Sequence, residues 1–363
     1  MKTSLILLLT ALTFNSFGQG FQKLKSKVKH STGAKIVSCS DDYFVTGGNA
    51  GDLYIWNYEG KILKKVLLDN TKINAIEVIP DSRNWLVGIT SLNPQRYIIK
   101  CFNTQGEELF ELIDTTLDQV GIDQDYSDNN QSTKAAIEAV DKNFPGLRQK
   151  ELKSPKAMNG LSHIELIQDI EVSPDGKSIA SIDKYNILKI WTLSGELVNS
   201  MKIQNGKKDT ELYFLNSESL FISPTITLNI DSGKFENLGG FERYSGVPFS
   251  NFVYFYFDYN DLSRPEKMYN LNTTETIDLK YYSYSAGTNG SYLVLLGQDR
   301  LIRVFDESGT LNSKFGKDRT VKTTFRGEEL TKYSLIKCFD IAPNSKFVVT
   351  GDEIGKITIW NRE

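Results

Sequence analysis

The residues that could do chemistry are few, and their spacing suits it poorly. Asp123-x-Asp125-x-x-Asp128 sets three carboxylates where a calcium loop would begin. In a calcium loop starting at Asp123, position six is Asp128, where glycine makes the sharp turn. Position twelve is Lys134, where a bidentate glutamate completes the coordination. These two failures favour a solvated acidic loop, with Asp123, Asp125 and Asp128 kept as the metal candidates. The chain holds two histidines, His30 and His163, too few for a three-histidine zinc site. Gly160-Leu161-Ser162 lacks the closing glycine of a nucleophile elbow. Gly351-x-x-x-Gly355-Lys356 is one residue short of a phosphate loop and falls in a hairpin pattern. No catalytic residue is assigned and no cofactor is expected. Carboxylates are plentiful, so a hydrolase of glycans or lactones, with a carboxylate- or calcium-lined channel, stands as the alternative reading.

The elements that would position any site must be read from the ends inward. Lys2, the apolar run Leu5 to Leu12, and the small residues Ser16 and Gly18 predict a signal peptide over 1–18. The run is too short to span a membrane, so an exported protein, periplasmic or secreted, is expected. The formal charge of −3 argues against nucleic acid, which selects a basic excess. Cys39, Cys101 and Cys338 have no metal-ligand spacing. Cys39 and Cys338 fall on early strands of the first and last repeats. A disulfide between them is open, with two buried thiols favoured.

A recurring pattern sets the architecture. Trp56, Phe102, Trp191 and Phe305 are each followed four residues later by Gly60, Gly106, Gly195 and Gly309. The clearest repeat is Ile167 to Ile203. An alternating strand runs into Ser173-Pro174-Asp175-Gly176, where proline presets φ and glycine accepts positive φ. Strands Ile179–Ile182, Ile187–Trp191 and Glu196–Ile203 follow. Four antiparallel strands, the inner ones apolar on both faces, describe a propeller blade. Cys338 to Trp360 repeats the wording, and Gly47 to Trp56 repeats its second hairpin.

These repeats resemble WD repeats, whose third strands end in an aromatic followed by Asp. Here the following residue is Asn57, Thr192, Asn361 or Asp306. The family's Gly-His dipeptide is missing. With two histidines in the chain, its buried His-Ser-Asp-Trp hydrogen-bond network is not expected to recur. His163 is read as a loop or strand-edge residue. Third-strand ends at Trp56, Phe102, Trp191, Ile230, Tyr269, Phe305 and Trp360 predict an all-β propeller of seven four-stranded blades, roughly 43 residues each. The chain stops at a third strand, so segment 21–30 is predicted to supply the missing fourth. Its alternation sets Lys23, Lys25, Lys27 and Lys29 on one face, where lysines discourage edge pairing.

Residues 19–363 thus form one propeller domain, interrupted at about 114–163. The insertion opens with Asp114 and Asp118, and Ser132 caps a predicted helix from Thr133 to Asn143 that Pro145-Gly146 ends. Long loops inside compact folds are often functional. The resemblance implies an interaction platform, so a non-enzymatic protein-binding scaffold is the leading reading, and a monomer is expected. Thr133, Lys134, Glu138, Asp141 and Lys142 on the insertion helix are the candidate contacts. Phe252 to Phe257 reads as a strand buried between blades.

Overall fold

The structure, a computed structural model, describes residues 21–24, 30, 33–115, 161–203, 210–239, 241, 244–256, 266–279, 283–297, 299, 301–316, 320–325, 328–333 and 335–362. Among them all regular structure is strand. Seven four-stranded antiparallel sheets make a seven-bladed β-propeller. The N-terminal strand is β1 (Phe21–Leu24). Blade one is β2 (Ala34–Cys39), β3 (Tyr43–Gly48), β4 (Asp52–Asn57) and β5 (Ile62–Leu67). Blade two is β6 (Thr71–Val78), β7 (Asn84–Leu92), β8 (Gln95–Asn103) and β9 (Glu108–Leu112). Blade three is β10 (Ile167–Val172), β11 (Ser178–Asp183), β12 (Ile187–Thr192) and β13 (Leu197–Lys202). Blade four is β14 (Leu212–Asn216), β15 (Ser219–Ile222), β16 (Ile226–Asn229) and β17 (Lys234–Asn237). Blade five is β18 (Ser245–Phe249), β19 (Phe252–Tyr256), β20 (Glu266–Asn270) and β21 (Thr276–Leu279). Blade six is β22 (Ser283–Thr288), β23 (Leu293–Gly297), β24 (Ile302–Phe305) and β25 (Leu311–Phe315). A separate hairpin, β26 (Thr320–Phe325) and β27 (Glu328–Tyr333), precedes blade seven: β28 (Ile336–Ile341), β29 (Phe347–Asp352) and β30 (Ile357–Arg362).

The aromatic-to-glycine spacing is the mark of a bulged hairpin. Gly60, Gly106, Gly195 and Gly309 all sit at positive φ, between 76° and 90°. In each case the third-to-fourth strand register slips at the aromatic itself: Trp56, Phe102, Trp191 and Phe305. A tight turn, a left-handed glycine and one extra residue on the strand together join two twisted strands. Blade seven lacks that turn. There β1 pairs with β30, from Phe21 opposite Arg362 to Leu24 opposite Ile359, with no slip. The N-terminal strand therefore completes the last sheet, as the sequence predicts.

By contact density the chain divides into two compact units, 68–209 and the remainder. In the first, blades two and three share a core of Leu86, Ile99, Leu112, Ile170, Ile179 and Trp191. In the second, successive blades share cores in the same way. Alternation along β19 sends Tyr254 and Tyr256 into the core shared with blade six. Val253 and Phe255 enter the core on the other side, with Phe221. The described part of Phe252 to Phe257 is thus a strand buried between blades. Val37, Phe44 and Trp56 of blade one pack against Val349 and Ile359 of blade seven.

Cys39, Cys101 and Cys338 form no disulfide. Cys338 Sγ lies at Gly351, beside Ala34, whereas Cys39 ends the same strand five residues on. Five residues of strand span about 16 Å, far beyond disulfide reach. Cys39 instead donates its backbone N–H to Asp340 Oδ2 at 2.7 Å, linking blade one to blade seven.

Candidate functional site: the root of the insertion

Both ends of the insertion are held in blades two and three. β9 leaves β8 after Leu112 pairs with Ile99. The returning chain takes up the vacated place: His163 forms a bridge with Tyr97, and Ser162 N donates to Tyr97 O at 3.0 Å. Ser162 Oγ accepts the Ile99 N–H at 2.7 Å and donates to Leu112 O. The outgoing and incoming strands meet directly, Asp114 N donating to Leu161 O at 2.9 Å. Asp114 and His163, which bound the insertion on sequence, thus belong structurally to the blades.

Beneath this junction lies a buried ion pair. Lys189, central on β12, donates from Nζ to Asp114 Oδ2 at 2.5 Å and to Ser162 O at 2.7 Å. Its ammonium also lies 5.7 Å from the Trp191 ring. Both side chains of the pair are at most 3% exposed. Burial lowers the lysine pKa, opposed by the hydrogen bond and charge of Asp114. A buried charge without its partner is strongly destabilising, so the pair fixes the root to blade three.

His163 joins the same cluster. Its Nε2 is 2.7 Å from Ser181 Oγ, which accepts the Trp191 Nε1–H at 2.9 Å. Its Nδ1 faces Asp183 Oδ2 at 3.3 Å. Asp183 Oδ1 caps the turn by accepting the Tyr185 and Ile187 N–H groups, each at 3.0 Å. Burial, then the charge of Lys189, drives the imidazole pKa below its usual value against the pull of Asp183.

The other histidine repeats this arrangement in blade one. His30 Nε2 is 2.6 Å from Thr46 Oγ1, which accepts the Trp56 Nε1–H at 2.8 Å, and His30 Nδ1 is 2.8 Å from Asp52 Oδ2. His30 N also donates to Gly355 O of blade seven at 2.8 Å. The four-residue network that the histidine count argued against is therefore present twice, one histidine to each. The count excludes it from the other blades, as blade seven shows: Trp360 donates to Thr350 at 3.2 Å with no histidine behind it.

The acidic member arrives by two routes. In blades three and seven it ends the second strand, as Asp183 and Asp352, eight residues before the tryptophan. In blade one that place is Gly48, and Asp52 reaches back from the third strand. A Cβ on Gly48 would lie 2.1 Å from Asp52 Oδ1. Gly48→Ala should therefore expel the carboxylate from His30. A loss of about 2–4 kcal/mol in urea melts, from overpacking and a broken buried hydrogen bond, is the expected outcome.

Two large apolar side chains are exposed near the root. β7 and β8 run nine residues each, against six for the inner strands of blades one and three. At their tip Leu92 is 49% exposed, and on the neighbouring turn of blade three Tyr185 is 48% exposed. Tyr97 hydrogen-bonds Gln95 and Glu165. Burial and the Glu165 charge push its phenol pKa up to about 12, so it is neutral throughout the physiological range.

No protein-family model matches the chain, and no curated protein matches it in sequence. The likeness to WD repeats rests on the fold. Asp123, Asp125 and Asp128 and the helix candidates Thr133, Lys134, Glu138, Asp141 and Lys142 lie outside the described residues, as do Lys25, Lys27, Lys29 and residues 1–18. Among the described residues, no group of three His, Cys, Asp or Glu side chains is placed to hold a metal ion. Among the described residues there is no helix long and apolar enough to cross a membrane. The sequence reading missed Lys189, although a lone charge in the apolar run Ile187 to Trp191 marks a position that needs a buried partner.

Proposed function

We propose that the chain is an exported, non-enzymatic scaffold that binds another protein through the insertion between blades two and three. One observation carries the reading: both ends of a long insertion are fixed in a buried, hydrogen-bonded network rather than tethered at a surface turn. Contact residues concentrate on loops held by rigid elements, and a rigid root limits the ordering entropy lost on binding. Leu92 and Tyr185 beside the root supply apolar and aromatic surface of the kind that anchors protein interfaces. The balanced charge favours a protein partner over nucleic acid. The apolar run Leu5 to Leu12 behind Lys2 supports export.

The test is a variant in which a short Gly-Ser linker replaces residues 115–160, retaining Asp114 and Leu161. The hydrogen bond between these two residues shows that a short link suffices. Its melting temperature should stay within a few degrees of the parent, while the native association, quantified by affinity capture and mass spectrometry, disappears. An association of undiminished stoichiometry would remove the insertion from the interface.

A further inference from the structure

The two histidine networks are wired with one hydrogen for each link. In blade three, Trp191 Nε1–H donates to Ser181 Oγ. An ionised carboxylate only accepts, so the hydrogen of the neutral ring sits on Nδ1, facing Asp183, and Nε2 takes the serine hydroxyl. Each link holds one hydrogen, and the ring is the neutral Nδ1–H form. A second ring proton would turn Nε2 from acceptor to donor. The serine hydroxyl hydrogen would then lose its acceptor in a site where Ser181 and His163 are both 0% exposed.

The charges around the ring come from every packed element. β11 contributes Asp183, β12 contributes Lys189, and the end of β9 contributes Asp114. β8 presents the Tyr97 backbone, with Glu165 and Tyr185 beyond its phenol. The two carboxylates favour a proton on the ring, while the buried ammonium and the loss of water oppose it. His163 is also part of the root itself, because its own N–H and that of Ser162 hold the returning strand on Tyr97 O.

We propose that His163 is an acid-sensitive latch: protonation of its ring breaks the Ser181 link and frees Leu161–His163 from β8 while the blades stay folded. His30 has the same wiring, yet it sits where blade seven meets blade one, and so serves as an internal reference. The sign follows from linkage. The folded pKa of His163 lies below the usual value of 6.5, so the latch holds fully above about pH 6.5 and weakens as pH falls toward the folded pKa.

Hydrogen exchange of the full mature chain at pH 7.5 and 5.0, corrected for intrinsic exchange, tests this. The amides of Ile99, Ser162 and His163 should open about tenfold or more at pH 5.0. Those of β11 and β12 should not. His163→Gln cannot titrate and should remove the pH effect. Equal protection of the root at both pH values, or an acid effect that survives His163→Gln, would overturn the proposal. Should that variant fail to fold, imidazole NMR of the parent decides, since the chain has two histidines. The His163 resonance should titrate together with root opening. A ring that titrates while the root amides stay protected would also overturn it. The readout is backbone exchange and does not depend on any partner.

Discussion

Lys189→Met should lower stability by about 3–5 kcal/mol, the effect expected when one member of a buried pair is removed. The lysine is 2% exposed and its ammonium bonds both Asp114 and the Ser162 carbonyl. Methionine fills the stem volume but leaves the Asp114 carboxylate in a dry site without a cation. Lys189→Met combined with Asp114→Leu removes both charges. It should recover most of the loss, because apolar pairs of similar volume commonly replace buried ion pairs without penalty. Urea melts of the two single variants and the double variant measure the coupling directly. Additive losses would mean that the pair does not act as a unit.

The second large effect concerns the N-terminal strand. Deleting residues 21–24 should cost at least about 3 kcal/mol, the scale of truncating one buried aromatic, and the loss of backbone pairing adds to it. Phe21 is 8% exposed, and its ring stacks on Phe315 at 4.6 Å. It shares a core with Val294, Val304 and Trp360 of blades six and seven. Without β1 the outer edge of β30 presents unpaired backbone groups, so self-association should accompany the loss of stability. Phe21→Ala alone, which keeps the strand, should cost less than the deletion. Thermal melts with light scattering distinguish the two, and an unchanged melt of the deletion would contradict the role given to β1.

Much of this architecture was legible because its causes are local. The spacing from Trp56 to Gly60 and from Trp191 to Gly195 is fixed by a bulge and a left-handed glycine within one hairpin, so it survives as a pattern in the chain. The position of β1 followed from the three strand patterns of the last repeat, Cys338 to Trp360, and the alternating segment before the first. Blades four and five were harder to read. β15, β16 and β17 are only four residues each, and the third strand of blade four ends at Asn229 without the aromatic that marks the others.

The networks were not legible, because their members come together only in the fold. His163 meets Ser181 and Asp183 across 18 and 20 residues, and Lys189 meets Asp114 across 75. In blade one the acidic residue moved to the other side of a turn, so matching positions against Asp183 and Asp352 finds Gly48. One signal was there: Thr46, Ser181 and Thr350 each stand ten residues before a tryptophan that donates to them.

The proposed partner would dock on the surface around the insertion root. Site-specific photocrosslinking in the living cell tests it most directly, with the probe placed at Tyr185, at Leu92 or, as reference, at Phe235 on blade four, which is 45% exposed. The prediction is one discrete adduct from Tyr185 and Leu92, none from Phe235, and loss of the adduct when residues 115–160 are removed. An adduct from Phe235 alone, or one from Tyr185 that survives the deletion unchanged, would contradict it.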